Sequence, residues 1–126
     1  MRFAKGFAAA AAMMVVMPSF AASDDLAVVK TIALVKGKPL RVDVALPAAT
    51  TAVGVNFKGT GADCDDLKMV FASGDPNDVL YHVAVPANFK ETYHFAANEQ
   101  PSVVRSVHVE CHATGAAVKL IVSAGR

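Results

Sequence analysis

The chain has 126 residues and a formal net charge of +1, with 12 Lys and Arg against 11 Asp and Glu. A chain so nearly neutral has no electrostatic reason to bind nucleic acid or an anionic membrane surface. Its length fits one small domain that can bury a core of its own.

The first stretch reads as a secretory signal peptide. Arg2 and Lys5 form a basic start, Phe7 to Met17 is an unbroken apolar run, Pro18 breaks it, and Ser19-Phe20-Ala21 offers small residues for a cut after Ala21. The apolar run is shorter than the roughly 20 residues that span a bilayer. Removing 21 residues from 126 leaves 105, and 10 basic residues then face 11 acidic ones, a formal charge of −1. The expected division is thus a leader over 1–21 and a single domain over 22–126, located in the periplasm or outside the cell. An exported chain with two cysteines, Cys64 and Cys111, favours a disulfide between them.

After a lead-in from Ala22 to Asp25 that is expected to be mobile, the mature chain reads as a series of short strands. Leu26 to Val35 is apolar apart from Lys30 and is expected to be buried on much of both faces. Leu40 to Leu46 alternates Leu40, Val42, Val44 and Leu46 with Arg41, Asp43 and Ala45, the pattern of a half-buried strand. Val53, Val55 and Phe57 repeat it up to Gly59-Thr60-Gly61. The segment Ala62 to Asp66 reads as an acidic loop that holds Cys64, followed by a strand with Leu67, Met69 and Phe71 inward. Ser73 to Asp78 has the composition of a turn. Strands follow at Leu80 to Val85 and at Glu91 to Ala97, with Tyr93 and Phe95 inward, and a loop spans Asn98 to Pro101. From Val103 to Ala113, Val103, Val107, Val109, Cys111 and Ala113 share one face, with Arg105 as the exception, and His108, Glu110 and His112 share the other. A last strand runs from Ala116 to Ser123. About eight strands with frequent turns and no helical spacing predict an all-β fold, an antiparallel sandwich of jelly-roll or immunoglobulin-like type.

Three sets of residues carry candidate chemistry. His108, Glu110 and His112 point to one side of a strand at about 7 Å intervals, a set that suits Zn²⁺ or Cu²⁺ with His82 or His94 as a fourth ligand. Asp63, Asp65 and Asp66 with Asp75 and Asp78 offer the hard oxygens that suit Ca²⁺ if two loops converge. Serines at 73, 102, 106 and 123 sit in no catalytic signature, so no residue is assigned a catalytic role.

The run from Leu46-Pro47-Ala48 through Gly59-Thr60-Gly61-Ala62-Asp63-Cys64-Asp65-Asp66-Leu67 to Gly74-Asp75-Pro76 and Tyr81 resembles bacterial pre-peptidase C-terminal domains. An extra acidic residue intrudes here before Leu67. The resemblance implies a secreted jelly-roll sandwich with a non-catalytic accessory or binding role, sometimes with Ca²⁺. The expected function is therefore an exported, non-enzymatic binding or accessory protein with no cofactor. Its partner would be a protein, a peptide or a cell-envelope glycan. The alternative is a periplasmic metal-binding protein using the His108, Glu110 and His112 face, and after it a small secreted enzyme or inhibitor.

Overall fold

A computed structural model describes residues 26–95 and 102–126. The leader over 1–21, the cut after Ala21, the lead-in to Asp25 and the loop from Asn98 to Pro101 lie outside the described residues. Eight strands form two four-stranded antiparallel sheets: β1 (Ala27–Leu34), β2 (Leu40–Ala45), β3 (Ala52–Lys58), β4 (Ala62–Phe71), β5 (Pro76–Val85), β6 (Lys90–His94), β7 (Val104–Ala113) and β8 (Val118–Gly125). The sheet orders are β1-β8-β3-β6 and β2-β7-β4-β5. Every connection except the β4–β5 hairpin passes from one sheet to the other. That order is the jelly-roll member of the two expected sandwiches. Among the described residues no helix is long and apolar enough to cross a membrane.

The core follows the period-2 pattern that built the strands. Val53, Val55 and Phe57 of β3 and Val118, Leu120 and Val122 of β8 face Leu67 and Met69 of β4 and Val107 and Val109 of β7, all fully buried. Each such side chain contributes roughly 1.5–3 kcal/mol relative to an exposed one. The Gly59-Thr60-Gly61 turn carries the chain from β3 across to β4. Gly61 has φ 121°, and a Cβ there would stand 3.0 Å from the Val85 carbonyl oxygen, so only glycine fits.

Four sequence expectations are corrected. β1 is not buried on both faces: it is an edge strand with β8 as its one neighbour, Val28 is 63% exposed, Ile32 and Leu34 are buried in the core, and Val29 is partly buried against it. The acidic stretch is not a loop. It is the first half of β4, where Ala62, Cys64 and Leu67 point inward and the aspartates lie away from the core, Asp65 exposed and Asp63 and Asp66 half-buried, which overrides the poor strand preference of Asp. The turn before β5 is shorter than Ser73 to Asp78, because β5 begins at Pro76, a residue tolerated at the start of an edge strand. The Arg105 exception is a bulge: the β4–β7 register shifts between Val70 and Phe71, so Val104 rather than Val103 is the buried residue that precedes Val107.

Candidate functional site

The outer face of the β2-β7-β4-β5 sheet gathers the ionisable side chains that alternate with the core. β2 presents Arg41 and Asp43, β7 presents His108, Glu110 and His112, β4 presents Asp63, Asp65, Asp66 and Lys68, and β5 presents Asp78 and His82. The register places Arg41 opposite Glu110, Asp43 opposite His108, Lys68 between His108 and Asp78, and Asp63 opposite His112. Cys64 and Cys111 are directly opposite on β4 and β7, with sulfurs at disulfide distance. The expected pairing is therefore met, but it joins two strands rather than a loop and a strand.

Three groupings result. In the first, His108 lies between two carboxylates, with Nδ1 2.6 Å from Asp43 Oδ1 and Nε2 2.6 Å from Glu110 Oε2. The hydrogen bond to Glu110, then that to Asp43, raises the imidazole pKa above its ordinary value against the opposing pull of burial. The same bond to His108 is the main cause that lowers the Glu110 carboxyl, and Arg41, 3.6 Å away, adds to it. In the second grouping, Asp66 Oδ2 stands 3.4 Å from Lys68 Nζ while Asp66 Oδ1 is buried with no hydrogen-bond partner. Asp78 has its pKa raised, first by a hydrogen bond to Asp66 and then by burial and the Asp66 charge. In the third, Asp63, Asp65, His82 and His112 line one cavity of about 270 Å³ with Cys64, Val83 and Ala84. His112 Nε2 is 3.6 Å from Asp63 Oδ2, and His82 Nδ1 is 3.9 Å from Asp65 Oδ1.

The sequence-predicted sets are redistributed among these groupings. His108 and Glu110 are brought together, but as a hydrogen-bonded pair, and His112 belongs to the cavity with Asp63. His94 cannot complete that set, since β6 lies in the other sheet. The five aspartates of the calcium set do not converge: Asp63 and Asp65 line the cavity, Asp66 and Asp78 meet across β4 and β5, and Asp75 accepts a hydrogen bond from Ser73 Oγ in the hairpin turn. The physical reason is the strand itself, which spreads its residues along an extended line where a loop would fold them back. Among the described residues no group of three or more His, Cys, Asp or Glu is placed so that it could hold a metal ion.

Sequence reasoning missed Asp43, 65 residues from its partner His108. The alternation in β2 put Asp43 on an outer face, but only the crossover topology sets β2 beside β7. No protein-family model matches this chain and no curated protein matches its sequence, and neither comparison supports the expected resemblance to pre-peptidase C-terminal domains.

Proposed function

We propose that this protein is an exported, non-enzymatic binding or accessory β-sandwich whose working surface is the acidic outer face of β2-β7-β4-β5. The observation that carries this reading is the charge of that face. Asp43, Asp63, Asp65, Asp66, Asp78 and Glu110 stand there against the permanent cations Arg41 and Lys68, with Arg105 exposed at the β7 bulge. The outer face of the other sheet carries Lys58, Lys90 and Lys119 instead. A domain so polarised attracts cationic partners to one side and repels them from the other. Tyr81 and Val83 of the β5 edge, 59% and 39% exposed, border the acidic face and give an aliphatic or aromatic side chain a place to rest. The partner that fits is a Lys- or Arg-rich segment of another exported protein. Export is supported by the leader-like start and by the Cys64–Cys111 pair.

The test is fluorescence anisotropy with a labelled Lys-rich peptide, beside a neutral cell-wall glycan fragment. The reading expects peptide binding that weakens with added salt and with the Asp43→Asn, Asp63→Asn, Asp65→Asn triple variant. Binding of the glycan alone, or peptide binding indifferent to these substitutions, would overturn it.

A further inference from the structure

We infer that β2 is the edge through which this protein associates with a second copy of itself: two copies join antiparallel about a twofold axis through Val42, with Arg41 of each opposite Asp43 of the other. The inference does not depend on the peptide-binding proposal. β2 ends the β2-β7-β4-β5 sheet and has β7 as its one strand neighbour. Its register with β7 is unbroken, and just beyond it Leu46 donates its N–H to the Arg105 carbonyl at 2.9 Å. In an antiparallel ladder the residues that bond to a given neighbour alternate. Leu40, Val42 and Val44 therefore turn their backbone groups to β7, and Arg41, Asp43 and Ala45 turn theirs outward. An outward row of this kind is a template for another strand, and proteins guard such rows with bulges, short edges and charges. Of the other edges, β1 and β5 carry register irregularities and β6 has five residues. β2 has no bulge, and its charges are Arg41 and Asp43.

Those two charges are self-complementary. They stand on either side of Val42, so an axis through Val42 sets each opposite the other, and both are residues with outward backbone groups. Each Arg41–Asp43 pair then exchanges two backbone hydrogen bonds and forms an ion pair on the outer face. The two side chains are 78% and 71% exposed. Asp43 gives Oδ1 to His108, and Arg41 approaches Glu110 through Nε. A carboxylate accepts more than one hydrogen bond and a guanidinium has five N–H donors, so both keep capacity for the second copy. On the inner face Leu40, 36% exposed, falls opposite Val44 of the second copy, and the join covers an apolar side chain that the sandwich leaves at its rim. The ladder stops where Pro39, which has no N–H, comes opposite Ala45. The contact is isologous and closes at two copies. A six-residue strand from each copy is small beside the roughly 20–30 residues a side of a standard interface, so the dimer is weak and concentration-dependent.

The experiment is sedimentation velocity over a concentration series of the full chain, expressed with its leader and purified as the cell processes it. Amide hydrogen exchange, read by NMR at the lowest and highest concentrations, reports the edge. The expected result is a shift from monomer to dimer, with exchange slowing at Arg41 and Asp43 while Val42, bonded to β7 throughout, stays the same. Arg41→Asp and Asp43→Arg each set like charges opposite, and each should weaken dimerisation by at least roughly tenfold. An equimolar mixture of the two variants restores both opposite-charge pairs and should recover the dimer. Arg41→Asp and the exchange pattern decide if Asp43→Arg disturbs the fold, because Arg41 is exposed and circular dichroism verifies that the variant is folded. A protein that stays monomeric up to about 1 mM overturns the assignment. So does slowed exchange confined to β1, β5 or β6, or a dimer that folded Arg41→Asp leaves unchanged.

Discussion

His108 is the residue whose ionisation the structure dictates most directly. A neutral imidazole has one N–H donor and one acceptor nitrogen, and it can satisfy only one of two carboxylates. Carboxylate oxygens at 2.6 Å from both nitrogens therefore call for the imidazolium. The groups that face it are Asp43 from β2, Glu110 from its own strand with Arg41 behind it, and Lys68 from β4. Its pKa is raised in the folded state. The clamp's contribution to stability is thus complete below the unfolded value of about 6.5 and is lost as pH rises through the folded value. Urea unfolding across this range should show stability declining on the alkaline side in the native protein. In His108→Gln that decline should disappear; an identical profile in both would refute the clamp. Asp78 gives the opposite lesson. Its raised pKa means that ionisation at neutral pH opposes the neighbouring Asp66. Asp78→Asn removes that charge and supplies a permanent amide donor, and it should raise the melting temperature at neutral pH while leaving it unchanged in acid.

At the scale of elements, strand faces were legible and strand partners were not. The alternation in β2, β3, β7 and β8 is written in Val44, Phe57, Val109 and Leu120, each of which is buried. Bulges escape a period-2 reading because they break the period. Asp65 opens one bulge in β4, Arg105 sits at another in β7, and Val79 at a third in β5. The bulge at Asp65 is also why a strand resembled a loop, since three aspartates in four residues cannot alternate cleanly. The Cys64–Cys111 pairing was legible from export and number, but its cross-strand position depended on the β4–β7 contact. Closing 47 residues of chain stabilises the fold by roughly 4 kcal/mol on the loop-entropy account. The Cys64→Ala, Cys111→Ala double variant should lose about that much in urea unfolding. Phe57→Ala, in the fully buried centre of β3, should cost about 3–5 kcal/mol, whereas Val28→Ala on the exposed edge should stay within about 0.5 kcal/mol.

For the whole molecule, near-neutral total charge conceals a polarised surface. Acidic residues collect on one sheet and Lys58, Lys90 and Lys119 on the other, a division invisible until the crossovers assign each strand to a sheet. Composition alone therefore argued correctly against a strongly charged chain and could not see a strongly charged face. Processing belongs to the same scale. The full chain, expressed with its leader, should be recovered beginning at Ala22 and two hydrogens lighter than its reduced form, as intact mass spectrometry would read. The proposed working surface is the acidic face of β2-β7-β4-β5. The most direct measurement is backbone amide NMR of the processed protein titrated with a Lys-rich peptide at low ionic strength. The predicted result is shift changes centred on Asp43, Asp63, Asp65, Tyr81 and Glu110 that fade as salt is added. Changes centred on Lys58, Lys90 and Lys119, or none on either face, would contradict it.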